Sequence, residues 1–269
     1  MKKKSLYRKR RSVKRSKYSP RRSSVSVAVK KYVNRTIHSN IENKCAQVQW
    51  SQSLGGATGS STLYAFPMTP YAGYMSISPT VLQNGRVGNT IKTRKLTFNF
   101  VMSPLQYNAT TNPYPTPLEV QMIFGYAKDD SAVIPTPTDI TNLFQAGSSS
   151  SAPTGLLTDL CLDFNKDAWH ISKVMKFKLG YGSFNASPGG QANLGYTTNN
   201  DFKLNVVKRI NLTKYCPKTI KFNDSTTLPQ NKGLFCMINV LNALGNSVIP
   251  VNQLVCRIDG YVNYEYEDA

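Results

Sequence analysis

Between residues 118 and 126 the chain alternates without a break. Leu118, Val120, Met122, Phe124 and Tyr126 share one parity and are all apolar or aromatic. A period of two sends successive side chains to opposite faces of a strand, so this stretch predicts a β-strand with one buried face. The same signature recurs at residues 45–54, at 91–102 (Leu96, Phe98, Phe100, Met102), at 169–179, at 202–212, at 234–240 and at 254–266. Residues 155–164 read as a short strand or a turn of helix, which makes eight candidates from residue 45 onward. No sustained 3.6-residue period separates them, which argues against a βαβ alternation. The expected fold is therefore all-β: a single eight-stranded antiparallel jelly roll, a two-sheet sandwich with long inter-strand loops. No repeat of fixed period points to a propeller or solenoid.

The intervening segments predict loops. Residues 104–117 hold four prolines, residues 127–154 combine paired aspartates with a serine run, and residues 180–196 are rich in glycine without the pattern of a phosphate-cradling loop. Residues 62–90 show no durable period and are expected to be a long connection. Its aromatics Tyr64, Phe66, Tyr71 and Tyr74, with Tyr107 and Tyr114, suit an amphipathic contact surface as well as they suit ordinary loops.

Charge divides the chain differently. Residues 1–24 carry twelve Lys or Arg side chains and no carboxylate. Such a segment repels itself and has little to bury, so it is expected to be a disordered arm until a polyanion meets it. Residues 1–44 contain sixteen basic side chains and one acidic one, whereas residues 45–269 contain seventeen and thirteen, within a formal net charge of +19. The chain thus reads as an arm (1–24), a connecting arm (25–44) and a shell-like body (45–269). In the connection, Val25, Val29, Val33, Ile37 and Ile41 recur every fourth residue; their β-branching leaves a short helix and an extended arm equally open.

A phosphate backbone, bound by counterion release, is the expected partner of such a leader. The candidate nucleic-acid contacts are Lys2, Lys3, Lys4, Arg8, Lys9, Arg10, Arg11, Lys14, Arg15, Lys17, Arg21 and Arg22, followed by Lys30, Lys31 and Arg35. The strand at 169–179 adds two more. Trp169, Ile171, Met175, Phe177 and Leu179 share a parity that Lys173 interrupts, while Lys176 and Lys178 occupy the opposite face, so that strand is expected to have core on one side and polyanion on the other. Basic runs also serve as nuclear-import signals, and that role can overlap with packaging.

Other chemistry finds little support. His38 and His170 are the two histidines, no HExxH or paired-cysteine motif exists, and the nearest carboxylate groupings are Asp129–Asp130 and Asp159–Asp163. No nucleophile elbow, Walker loop or kinase signature is present, so neither an enzyme, a metal nor a cofactor is expected. Cys45, Cys161, Cys216, Cys236 and Cys256 are an odd, scattered set that suits free thiols. No apolar run is long enough for a membrane span, and the start lacks a signal peptide's apolar region.

In order, the Asn40–Lys44 junction (NIENK), GNTIKTRKLTFNF (88–100), PLEVQMIFGYAKDD (117–130), AWHISKVMKFKLG (168–180) and IDGYVNYEYEDA (258–269) resemble the capsid proteins of circovirus-like, Rep-encoding circular single-stranded DNA viruses. The resemblance covers nearly the whole chain through loose motifs. It implies a homo-60-mer, a T=1 icosahedral shell, with the arm directed inward onto a single-stranded DNA genome. It also implies a virion protein that visits the host nucleus, an import receptor and a host-cell attachment receptor. A shorter Arg-rich run, more Lys and extended loops at 55–90 and 127–154 depart from the family pattern. On composition alone, an RNA-virus capsid protein or a ribosomal-type protein with a basic extension are the alternatives. The second usually carries positive charge on its body too, and this body is nearly balanced.

Overall fold

The computed structural model describes residues 26, 28–33, 42–55, 64–66, 77–82, 84–106, 108–113, 115–128, 142–180, 202–224, 227, 229–230, 234–245, 247–250 and 253–268. The chain divides into two compact units, Met1–Asn40 and Ile41–Ala269. In the first, residues 28–33 are helical. Ser26 caps them: its Oγ accepts from the Val29 amide at 3.2 Å, and its carbonyl accepts from the Lys30 amide at 3.0 Å. Val29 and Val33, one turn apart, are both exposed. For these residues the choice between helix and extended arm falls to helix.

The second unit is built from antiparallel strands. One sheet takes β1 (Glu42–Gly55), β3 (Thr90–Pro104), β12 (Leu254–Asp268), β9 (Val206–Asn211) and β10 (Thr219–Lys221) in the order β1-β12-β3, with β9 and β10 both pairing along the far side of β3. The other runs β2-β11-β4-β8, formed by Tyr64–Phe66, Phe235–Asn242, Leu118–Ala127 and Trp169–Leu179. The chain therefore switches sheet after β1, β2 and β3, stays for β4 and β8, then switches again to β9 and to β11 and β12. First strand beside last is the winding of a jelly roll.

Between the sheets lies one continuous core. Leu96, Phe98, Phe100 and Met102 of β3 and Ile258, Val262, Tyr264 and Tyr266 of β12 meet Val120, Met122 and Phe124 of β4 and Cys236, Ile238 and Val240 of β11. Trp50 stacks on Phe98 at 5.1 Å, Phe98 on Phe100 at 4.9 Å, and Phe100 reaches Phe177 of the opposite sheet at 6.3 Å. Gly260 pairs with both Trp50 and Phe100 and contributes no side chain between them. A Cβ there would lie 2.5 Å from the Asn99 carbonyl oxygen and 2.9 Å from Phe100 Cβ.

Three expectations are corrected. Short strands form inside segments that lack local period. β2 lies within the expected connection 62–90, and β5 (Phe144–Ala146) and β6 (Ser149–Ser151) lie within the expected loop 127–154. Residues 155–164, expected as a short strand or a turn of helix, hold one of each: a 3-10 turn, Leu157–Cys161, and the two-residue β7 (Asp163–Phe164), which joins β5 and β6 in a third sheet. The third correction concerns β8. Its pairing with β4 shifts between Phe124 and Gly125, where Ser172 stands unmatched. An extra residue reverses the facing of everything beyond it. Met175 and Phe177 thus pack on the main core, but Trp169 and Ile171 face the other way, into a second cluster with Ile123, Leu143, Phe144 and Met237.

Candidate nucleic-acid interface

The leader residues Lys2 to Arg22 and Arg35 lie outside the described residues, as does His38. Lys30 and Lys31 are on the helical stretch 28–33 and are exposed. Lys176 and Lys178 lie on β8, paired with Gln121 and Glu119 of β4, on the face away from the main core. The Lys176 ammonium donates to the Leu160 carbonyl at 2.9 Å. Lys178 stands 3.5 Å from Glu119 and 5.4 Å over the Phe202 ring. Both partners of that ion pair remain partly in water, so it contributes at most about 1 kcal/mol and leaves the lysine able to accept an anion.

Lys176 and Lys178 are joined by two lysines that sequence reasoning missed. Lys203 and Lys208 line the same concavity, of about 450 Å³, with Met175, Phe177 and Val206. Topology produces this. β8 ends one sheet, β9 runs along the margin of the other, and the chain entering β9 is stitched to β8 by a parallel bridge between Lys203 and Leu179. Gly180 donates to the Lys203 carbonyl at 3.1 Å and Lys203 to that of Lys178 at 3.3 Å. One signal was available for Lys208: it interrupts the apolar parity of Val206, Ile210 and Leu212. A cation in such a row marks a site where the buried face meets solvent. Lys203 has no local signature.

The other notable basic group is ion-paired, three cations against two carboxylates. Lys92, Arg94 and Lys95 place positive charge at the start of β3, but β12 lies alongside with its acidic end. Lys95 meets Glu265 at 2.7 Å, Lys92 meets Glu267 at 3.5 Å, and Arg94 also pairs with Glu267. The ladder between β3 and β12 shifts at this point, leaving Arg94 unmatched and free to reach Glu267.

The remaining candidates have structural employment. His170 is exposed and stacks on Tyr126 at 4.6 Å. Asp159, fully buried, accepts from the amides of Thr154 and Gly155 and from the Thr154 hydroxyl, and so holds the turn before β7. Asp163 pairs through its backbone with Gln145, while Asp129 and Asp130 lie outside the described residues. Among the described residues no three His, Cys, Asp or Glu side chains converge as a metal site. Of the aromatic contact candidates, Tyr64 and Phe66 belong to β2, and Tyr71, Tyr74, Tyr107 and Tyr114 lie outside the described residues. The described residues do expose Val101, Val207 and Tyr261 on the outer side of the first sheet.

No family model and no curated protein matches the chain. Among solved structures, it is similar to "Desmodium yellow mottle tymovirus" at 12% identity, covering 85% of this chain and 89% of that one with a TM-score of 0.31. It is similar also to "Structure of Turnip Yellow Mosaic Virus at 100 K" at 9% identity, covering 85% and 96%, with the same TM-score of 0.31. The assignment of the fold rests on strand pairing and order, and these likenesses add nothing to it.

Proposed function

We propose that this chain is the capsid protein of a small virus, a non-enzymatic protein that tiles a closed shell and condenses the genome with its leader. The observation that carries the reading is the separation of charge: +15 on residues 1–44 against +4 on the jelly-roll body. A nearly balanced body can meet copies of itself without strong repulsion, and a leader dense in cations binds phosphates without reading bases. The finer reading is a T=1 shell of sixty copies around circular single-stranded DNA, with the leader doubling as a nuclear-import signal. Sixty leaders bring about +900 to the interior, a large share of the charge on a genome of roughly 2,000 nucleotides.

Electron microscopy of the purified full-length chain tests this. Closed particles of one size, holding nuclease-protected nucleic acid, are expected. DNase sensitivity of the extracted nucleic acid separates DNA from RNA, and the particle mass gives the copy number. A chain that stays monomeric with or without added single-stranded DNA overturns the shell.

A further inference from the structure

We infer that the body carries its own binding cleft for single-stranded nucleic acid, built where β8 and β9 meet and independent of the leader. This deepens the proposed function and rests on its nucleic-acid half, not on its shell. Four lysines, Lys176, Lys178, Lys203 and Lys208, line one concavity of about 450 Å³. Like charges repel, and a folded chain gains nothing from gathering them. Among the described residues, Glu119 is the one carboxylate that reaches any of the four, at 3.5 Å from Lys178, and Lys203 and Lys208 have no ion-pair partner. The cluster is a net cation awaiting an anion.

Its shape selects an extended polyanion over a single phosphate. Lys176 and Lys178 are two residues apart on a strand, about 7 Å along it. That is of the order of the distance between neighbouring phosphates on an extended single strand. Lys208 comes from β9 of the other sheet and Lys203 from the segment that enters it. Phe177, half-buried, lines the same concavity with Met175 and Val206, and Phe202 sits against Lys178. Rings and apolar side chains close to cations offer an unpaired base a surface to stack on; a duplex keeps its bases stacked inside and cannot use it.

The cleft is tested on the full-length chain with an iodouracil-substituted thymidine oligonucleotide. Irradiation is expected to crosslink peptides bearing Phe177 or Phe202, and the double variant Lys203→Gln/Lys208→Gln to lose those crosslinks. The salt slope of binding should fall by about 0.7 for each lysine removed. The variant's unfolding temperature checks that the fold is retained. Crosslinks confined to residues 1–35, or an unchanged slope in the variant, overturn the assignment. Displacement by tripolyphosphate at equal charge concentration also overturns it, since the occupant is then free polyphosphate. Crosslinking at the cleft by a chain that forms no particles sinks the shell reading alone. Intact particles with no crosslink at the cleft sink this one alone.

Discussion

Lys44 donates its ammonium to Asp268 at 2.9 Å, with both side chains buried. The pair ties the start of β1 to the last described residue of the chain, 224 positions away. Asp268 also accepts from the amides of Val87 and Gly88. Together with Glu267, it turns the acidic tail of β12 into a clasp for β1 and the entry to β3.

Removing one member of a buried ion pair strands the other. Lys44→Met is expected to cost about 3 kcal/mol, measured by urea unfolding of the unassembled chain. The double variant Lys44→Met/Asp268→Leu should recover part of that loss. A single variant as stable as the parent would show the clasp to be idle.

Gly125 sits at the register shift that turns Trp169 and Ile171 away from the main core. A Cβ at this position would collide with the His170 carbonyl oxygen, which is backbone and cannot swing aside. Gly125→Ala should therefore destabilise by about 2 kcal/mol, and the Trp169 fluorescence should shift as its cluster with Phe144 and Leu143 loosens. An unchanged spectrum and an unchanged melting temperature would contradict the packing assigned to this shift.

The five thiols divide by burial. Cys45 and Cys161 are exposed, whereas Cys216, Cys236 and Cys256 are buried. Burial pushes the Cys236 and Cys256 thiols well above their ordinary value of 9.0 and raises the Tyr264 phenol above its ordinary 10.0. A disulfide-exchange reagent should modify two thiols quickly in the native chain and the other three only on unfolding. The linkage has a definite sign. Above about pH 9 the unfolded chain gives up protons that the folded one keeps, so stability should fall as pH rises, steepening past 10. Stability that held flat to pH 11 would mean that these groups are reached by water.

Replacing the twelve basic residues of 1–24 by glutamine should leave the body's melting temperature unchanged, because the leader belongs to a separate unit. Nucleic acid retained after purification should drop sharply, and what remains should show a shallower salt dependence. Full retention would move the packaging role from the leader to the body.

Much of this protein was determined by patterns that neighbours in the chain create. Strand character at 118–126 and 254–266 follows from a two-residue period, since side-chain facing is set by adjacent backbone geometry. The division into cationic leader and balanced body is likewise additive, a count along the chain. Tertiary structure alone decided what depends on residues brought together from afar. The extra residue Ser172 leaves no mark in composition, yet it reversed the facing of Trp169. Glu265 and Glu267 came beside Lys92, Arg94 and Lys95 only when β12 paired with β3. Lys203 and Lys208 came to share a concavity with Lys176 and Lys178 only when β8 and the chain entering β9, each at the margin of its own sheet, met across the sandwich. Pairing partners are chosen by the closing of long loops and the shape of a shared core, and no local stretch of sequence carries that choice.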